Sequence, residues 1–409
     1  MSAHAKLRSS IELREGRRSK KLHLVQKFPL PQPRGLLPQH SLAPGAIFPD
    51  GILTPMRIEV VQHSACFSDL RDSWSDLVRG SANATPFQSW EWHKTWFDFY
   101  GRSKRPFILA AWEGNGLIGL FPLARKAGAW SVLRSSGAGP SDYLHPLIRT
   151  DHETDVESAF SEYLSTQTDY SLIDLHQVGS RSDLAPEGAF ELEQATCLML
   201  DLPDSFDAYL GMLGKSLRYD VRKLEKSLFT EGRAKIEWAT EESLPLGLEI
   251  LFEQHRKRWR KRMLPGAFIG KSQTFHHAWA KLAIKQDWLR LGILYLDESP
   301  IGAIYGMAMG DAVFFYQAGF DPDHKAVSPG TLLVGNFIRR SIEEGRKQFD
   351  FLRGDEPYKR RWKPQRSFIN RRLIIPRKTP LGALGAKWNL LGSRVEGKIR
   401  ERLEGKSLV

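Results

Sequence analysis

Residues 107–125 read FILAAWEGNGLIGLFPLAR, and residues 289–309 read LRLGILYLDESPIGAIYGMAM. Each stretch is an apolar run, a short turn and a second apolar run that opens with Ile-Gly. The pattern predicts a β-hairpin in each half of the chain. Another short apolar run follows each hairpin, centred on Asp174 in the first half and on Asp350 in the second. Two matches in the same order predict an internal duplication, and therefore two copies of one α/β domain.

The length and composition are typical of a globular protein of two domains with tails, because 409 residues exceed one small core. No apolar run reaches the ~18 residues that a membrane span requires. Two cysteines, Cys66 and Cys197, provide neither a disulfide framework nor a metal cluster. We therefore expect a cytoplasmic protein without a transmembrane segment or a metal. The net charge of +12 favours an anionic partner such as nucleic acid, a phosphorylated cofactor or acidic lipid.

Composition divides the chain into four segments. Residues 1–55 are basic and then proline-rich, which predicts a disordered extension, or a gene start placed too early with Met56 as initiator. We expect an N-terminal domain at 56–200 and a C-terminal domain at 201–378. The remainder, 379–409, has the pattern of a basic amphipathic helix. Its apolar residues recur four apart, which predicts that it packs on the domain rather than lying on a membrane; they are Leu391, Val395, Ile399 and Leu403.

The loop before a predicted helix at 331–344 is a candidate anion site. Lys325, Ser328, Gly330 and Thr331 stand where backbone N–H groups and the positive end of the helix dipole meet, so a pyrophosphate could bind there. The alternative is an ordinary helix start, with Ser328 as N-cap and Pro329 in the first turn.

The segment RGDEPYKRRW, which follows the second aspartate strand, contains candidate catalytic residues. Asp355 and Glu356 are candidate general bases, and Tyr358 and Lys359 are candidate proton donors or substrate clamps. Trp362 lies four residues after Tyr358, which adds an aromatic face beside the charges. The alternative is a solvated polar turn.

Two further sets of residues are candidates for substrate binding. Lys215, Arg218 and Arg222 lie on a predicted helix at 215–228 whose basic face could bind RNA phosphates or another anion; the alternative is a solvated helix face. Asp142 and Tyr143 follow a glycine-rich loop and could contact substrate; the alternative is a turn capped locally by the preceding serine.

At this point the sequence resembles a known family. The stretch from Leu291 to Trp362 is similar to the CelD-like branch of the GNAT acyltransferase superfamily. The matching features are Pro300-Ile301-Gly302, the strand end YQAGF from Tyr316, Ser328-Pro329-Gly330, FDFLRG from Phe349, and Tyr358-Lys359 with Trp362. PFQSWEW from Pro86 and SDYL from Ser141 look like the same family's N-terminal half. RYDVRK from Arg218 is similar to Fem-type aminoacyl transferases, which are tandem GNAT domains that build peptidoglycan bridges.

The resemblance implies a fold and a donor. Each domain would be a mixed, twisted sheet flanked by helices, an α/β (α+β) arrangement. The donor would be acyl-CoA, whose pyrophosphate the family holds in a loop of pattern Arg/Gln-x-x-Gly-x-Gly/Ala. The matching positions here are Lys325, Ser328 and Gly330, and the first two depart from that pattern. Fem-type relatives use aminoacyl-tRNA instead, which the positive charge would suit equally well.

These observations support one preferred function and two alternatives. The preferred function is transfer of an acetyl or other acyl group from CoA to an amine or hydroxyl of a sugar or cell-envelope polysaccharide precursor. The second domain would be the active copy, with Tyr316 and Trp362 as further candidates for substrate contact, and the first domain would form the other wall of the acceptor cleft. The alternatives are a Fem-like transferase that uses aminoacyl-tRNA and a non-catalytic scaffold that binds an anionic polymer. The sequence leaves the oligomeric state open.

Overall fold

The computed structural model describes residues 56–126, 128, 131–167, 169–260, 266–377 and 379–405. They belong to one compact unit, Thr54–Val409. The predictions for residues 1–55 lie outside the described residues.

Strands and helices alternate along both halves of this unit. The strands of the first half are β1 Arg57–Val61, β2 Arg105–Glu113, β3 Gly116–Lys126, β4 Val132–Ser135, β5 Leu147–Ile148, β6 Leu172–Val178 and β7 Phe190–Asp201. Its helices are α1 Ser64–Asp69, α2 Arg71–Arg79, α3 Trp90–Tyr100 and α4 Glu153–Thr166. The strands of the second half are β8 Ala234–Trp238, β9 Leu289–Leu296, β10 Ser299–Met309, β11 Ala312–Phe320, β12 Gln348–Arg353 and β13 Arg366–Pro376. Its helices are α5 Phe206–Met212, α6 Lys215–Leu224, α7 Leu244–Arg260, α8 Lys271–Lys285, α9 Pro329–Glu343, α10 Pro357–Arg360 and α11 Pro380–Gly405.

The two predicted hairpins are confirmed as β2–β3 and β9–β10, both antiparallel. The helix predicted at 331–344 is α9, and Gly345 follows it with a φ of 72°, the left-handed conformation in which glycine commonly ends helices. The helix predicted at 215–228 differs from the observed one. Its α-helical part, α6, ends at Leu224, and the chain continues as a π-helical turn, Glu225–Thr230.

The described strands form one continuous sheet in the order β1-β2-β3-β4-β6-β13-β7-β12-β11-β10-β9-β8, with β5 paired to β3. Read inward from either edge, the two halves match. Three antiparallel pairings come first, and then β4 pairs with β6, and β11 with β12, in parallel. This symmetry supports the duplication inferred from the sequence, and it confirms the mixed α/β fold.

The last strand of each half crosses to the other half. β7 follows β6 in the chain but pairs with β12, whereas β13 follows β12 but pairs with β6. β7 and β13 also pair with each other through nine residue positions, which joins the halves into one sheet. The predicted boundary between 200 and 201 falls at the end of the exchanged strand β7, and the predicted division into domains stays a prediction.

Helices of both halves share one hydrophobic core on one face of the sheet. Trp92 of α3 is fully buried, and its ring centroid lies 4.8 Å from that of Trp279 and 5.0 Å from that of Phe275, both on α8. Edge-to-face packing of buried aromatic rings adds to the free energy gained from their apolar area. The core therefore fixes the first half against the second.

Helix α11 packs on the sheet, as predicted, but through a different face. Ala386 and Leu390 contact Leu172 and Ile374 of the sheet. Leu391, the first residue of the predicted packing stripe, is 57% exposed, because the packing face is the one that carries Ala386. The side chains of Val395, Ile399 and Leu403 lie outside the described residues.

Candidate active site

The parallel strands β11 and β12 separate soon after they begin. Their pairing runs from Ala312 opposite Gln348 to Phe314 opposite Asp350, although β11 continues to Phe320. A β-bulge in the β10–β11 pairing lies just beyond this point. Asp350 therefore occupies the position where the two strands part, at the apex of a V.

Asp350 is a buried carboxylate with two hydrogen-bond donors. The Tyr143 hydroxyl donates to one oxygen at 2.8 Å, and the Leu352 amide donates to the other at 2.7 Å. Burial raises the pKa of Asp350 from 3.8 to about 6, against the opposing effect of these hydrogen bonds. A carboxylate with this pKa is ionised at neutral pH and still basic enough to take up a proton, which is the property of a general base.

Tyr143 reaches Asp350 because its loop is tied to both halves. Ser141 accepts a hydrogen bond from the Trp92 indole at 2.7 Å and donates to the Gly137 carbonyl, and Gly137 has a φ of 85° that favours glycine. Asp142 forms an ion pair with Arg353, which follows Asp350 by three residues. Burial and the charge of Asp350 raise the pKa of Tyr143 well above its usual value, so the phenol keeps its proton and remains a donor.

His145 and Arg181 complete the polar side of the site. His145 is 8% exposed, and neither ring nitrogen makes a hydrogen bond of normal geometry within the described residues. Burial, with a smaller contribution from Arg181, lowers the pKa of His145 to about 4, so its ring is neutral at pH 7. The Arg181 guanidinium lies 4.7 Å from the ring centroid of Phe368 and donates to the Asn83 side chain.

These groups line a cavity of about 920 Å³ to which both halves contribute. Asp350, Tyr143, His145 and Arg181 are among the residues that supply its polar atoms, and the apolar lining includes Trp90, Met199, Trp288 and Phe314. A concave, mainly apolar pocket with a few convergent polar groups is the usual form of a small-molecule site. The cavity can hold an acceptor beside a carboxylate of raised pKa.

The segment after β12 lies apart from the described lining of this cavity. Asp355 is bound by both oxygens to Arg360 at 2.5 and 2.6 Å, at the surface. The buried Lys359 donates to the carbonyls of Arg353 and Gly354 and pairs with Glu356 at 3.0 Å. These contacts fix the turn, and the catalytic roles predicted for its residues stay predictions.

The aromatic candidates are held by the protein itself. Trp362 is 3% exposed in the core beneath α9, and Tyr358 packs against that core. The Tyr316 hydroxyl donates to the Pro140 carbonyl at 2.8 Å, so it supports the loop that carries Asp142 and Tyr143. Of the predicted substrate-binding residues, the structure brings Tyr143 to Asp350.

The loop at 325–331, predicted to bind an anion, does precede α9, and it forms a turn whose amides bond to its own carbonyls. Ser328 has a φ of 45°, and its side chain makes no capping hydrogen bond, unlike the N-cap considered from the sequence. The amides of Ser328, Thr331 and Leu332 bond to carbonyls within the turn. Lys325 is exposed, and Gly330 lies next to the Phe320 ring, which a β-carbon there would approach to 3.3 Å.

The basic face of α6 divides into two kinds of residue. Arg218 donates to the carbonyls of Gly211 and Leu213 at 3.1 and 2.9 Å, so it holds the end of α5. Lys215 and Arg222 are exposed beside Tyr219, which is 64% exposed. The exposed cations form a surface away from the cavity lining.

The sequence contains a signal for Asp350 beyond its place in the internal duplication. An acidic residue inside the apolar run FDFLRG predicts a buried carboxylate, and buried ionisable groups are candidates for function. His145 and Arg181 were missed because ordinary loop sequence surrounds them, and only the fold brings them to the cavity.

Comparison with known families finds a match within the second half. Residues 215–360, from the start of α6 to the end of α10, match the family described as acetyltransferase (GNAT) domain. This part of the chain is similar to a GNAT acetyltransferase domain, and that similarity supports a transferase. No curated protein sequence matches the chain. The narrower likeness to the CelD-like branch stays a prediction.

Solved structures are similar to this chain at low sequence identity. A conserved protein of unknown function from Bacteroides thetaiotaomicron VPI-5482 matches with a TM-score of 0.53 at 12% identity, covering 78% of this chain and 100% of that one. FemX matches with a TM-score of 0.52 at 10% identity, covering 73% and 95%. The C-terminal domain of a putative lysylphosphatidylglycerol synthetase from Agrobacterium fabrum matches with a TM-score of 0.49 at 11% identity, covering 78% of this chain and 96% of that one.

Two features are absent from the part of the chain that the structure describes. No group of three or more His, Cys, Asp or Glu side chains there is arranged to hold a metal ion. None of the helices described is both long and apolar enough to cross a membrane.

Proposed function

We propose that the protein transfers an acyl group to an amine, or to a hydroxyl, of an acceptor bound in the cavity, with Asp350 as the general base. The observation that carries this proposal is the buried Asp350 carboxylate, whose pKa is raised to about 6 and which lines the cavity at the apex of the V. A sugar or cell-envelope polysaccharide precursor fits the mixed aromatic and polar lining.

The reaction would be a direct displacement. The acceptor's nitrogen or oxygen adds to the acyl carbon and forms a tetrahedral intermediate. Its collapse breaks the bond to the donor's leaving atom, which departs with the electron pair of that bond and takes a proton from solvent. Asp350 takes the proton that the nucleophile loses, and Tyr143 holds the carboxylate in position through its 2.8 Å hydrogen bond. Neutral His145 can accept or donate one further hydrogen bond to the acceptor.

We propose acyl-CoA as the donor, bound along the opening between β11 and β12. The first turn of α9 would hold its phosphates through the Gly330 amide and the positive charge of Lys325. Since three neighbouring amides are bonded within the turn, this arrangement fits a phosphate held by a lysine and one helix turn rather than by a full amide cradle.

Calorimetric titration with CoA and with acetyl-CoA tests this donor. We expect saturable binding in the micromolar range, weakened about tenfold or more by Lys325→Ala, since a charged hydrogen bond contributes about 1.5–3 kcal/mol. Lys215→Ala, which removes an exposed lysine of α6, is the matched control and should bind as wild type does. Absence of binding at millimolar CoA would exclude this donor.

The exposed cations of α6 favour a second candidate, in which the donor is aminoacyl-tRNA. Lys215, Arg222 and their neighbours form a basic surface around the exposed Tyr219, and charge combined with an exposed aromatic ring suits RNA. Under this candidate, Lys215→Ala with Arg222→Ala weakens tRNA binding and reduces its salt dependence, and Lys325→Ala does not.

A further inference from the structure

Four large apolar side chains of α11 face solvent. Leu381, Leu384, Trp388 and Leu391 are 49%, 56%, 74% and 57% exposed. They are three or four residues apart, which places them on one side of the helix. The sequence continues this spacing with Val395 and Ile399. A contiguous apolar stripe on a surface marks a site of contact with a protein or a membrane.

The orientation of the helix is fixed by its opposite side. Ala386 and Leu390 pack on the sheet, and the Asn389 side chain accepts a hydrogen bond from Arg372 of β13 at 2.6 Å. At Gly382 a β-carbon would come within 2.9 Å of the Ser171 carbonyl, so the helix lies close against the chain there. The exposed stripe therefore points away from the protein.

Positive charge lies beside the helix on the same face of the sheet. Arg372, which bonds to α11, also pairs with Asp174, and Asp174 pairs with Arg134 of β4 at 3.0 Å. Burial, together with the positive charges of Arg134, Lys126 and Lys271, lowers the pKa of Lys104, so these cations lie close together. The helix itself carries more basic than acidic residues: Lys387, Arg394, Lys398, Arg400 and Arg402 against Glu396, Glu401 and Glu404.

We propose that α11 docks on an anionic lipid surface, with the Leu381–Leu391 stripe in the interface and the neighbouring cations over the headgroups. An apolar stripe of leucine and tryptophan with lysine and arginine beside it favours burial in the plane of such interfaces, and tryptophan prefers that depth. A second copy of this chain is disfavoured as the occupant, since it would bring together two molecules of net charge +12 and two basic helices.

Vesicle sedimentation with the full chain tests the proposal. One set of vesicles is phosphatidylcholine, and the other is phosphatidylcholine with phosphatidylglycerol. We expect binding to the anionic set that weakens as salt is raised. The double variant Leu384→Ser with Trp388→Ser should lower the partition coefficient about tenfold or more, because apolar burial supplies much of the binding. Leu246→Ser removes a leucine of α7 that is 64% exposed, and it should bind as wild type does.

A second variant tests the charge. Lys104→Gln with Lys126→Gln should reduce binding to anionic vesicles several-fold and leave the melting temperature almost unchanged. Three results would overturn the proposal: no sedimentation with either vesicle set, equal binding to both sets, or equal binding by wild type and the stripe variant. A dimer seen by light scattering that the stripe variant abolishes, without vesicle binding, would assign the stripe to a second copy instead.

Discussion

At the residue scale, the two copies of the duplicated domain carry an aspartate at the same position, and its surroundings shift its pKa in opposite directions in the two copies. Asp174 and Asp350 stand on equivalent strands, β6 and β12, each opposite the parallel partner strand. Although burial opposes it, hydrogen bonds from His176 and Arg372 hold the pKa of Asp174 well below its usual value. Asp350 has no such cations bonded to it among the described residues, and its pKa is raised. The first copy therefore uses its aspartate for structure, and in the second we propose that the aspartate acts as a base.

The contrast predicts that removing the charge of Asp174 and removing that of Asp350 have opposite effects on the stability of the folded protein. The pKa of Asp350 rises from 3.8 to about 6 on folding, so its ionisation costs stability as pH rises through that window. Asp350→Asn should therefore be at least as stable as wild type at pH 8. Asp174→Asn should lower the free energy of unfolding by about 3–5 kcal/mol at neutral pH, because it leaves buried Arg372 without its carboxylate.

Urea denaturation at pH 8 and at pH 4.5 measures the effect at Asp350, and a further series at about pH 2.5 measures the effect at Asp174. The free energy of unfolding of the Asp350→Asn variant should exceed that of wild type only at the higher pH. The contribution of Asp174 should be present above its usual pKa of 3.8 and should fade as the solution becomes more acidic. A large loss of stability in Asp350→Asn at pH 8 would contradict a raised pKa.

At the element scale, local pattern predicted most elements and could not predict their partners. The two hairpins, α9 and the β12 strand follow from apolar period and turn residues within short windows. The strand exchange depends on pairings between residues far apart in sequence, such as Arg366 with Met199, and no local signal specifies them. The exposed side of α11 was unpredictable for the same reason, since two faces of that helix carry apolar residues and tertiary contact selects one.

The packing of α3 on α8 should be a main source of stability between the halves. Trp92→Ala removes a fully buried indole from between Trp279 and Phe275. It should lower the free energy of unfolding by about 3–5 kcal/mol. Trp92→Phe keeps a ring in the core but loses the hydrogen bond to Ser141, so we expect a loss nearer the ~1 kcal/mol of one bond plus some packing. Chemical denaturation would rank the two, and near-equal losses would show that packing contributes little.

At the scale of the whole molecule, the exchange of β7 and β13 makes each half depend on the other. It also builds the cavity, because Met199 of β7 and Asn370 of β13 line it together with Asp350. The sequence predicted two copies and a cleft between them, and the apolar period could not show that the copies exchange strands. The proposed active site of the second half therefore needs the other half to complete its lining.

This dependence can be tested with fragments. Residues 202–378 alone would lack β7 and so leave β12 and β13 without their shared neighbour, and unpaired strands promote aggregation. We expect this fragment to show no cooperative thermal unfolding by circular dichroism, and expect co-expression with residues 56–201 to restore it. Cooperative unfolding of the isolated fragment would contradict the dependence.

The central claim is that Asp350 is the base of an acyl transfer. The most direct measurement follows thiol release from acetyl-CoA in the presence of pooled amino sugars, for wild type, Asp350→Asn and Asp355→Asn. We predict that Asp350→Asn loses about 100-fold or more of the rate, that Asp355→Asn keeps it, and that the wild-type rate rises with pH through about 6. An Asp350→Asn enzyme as active as wild type, or loss of the rate in Asp355→Asn alone, would contradict the claim.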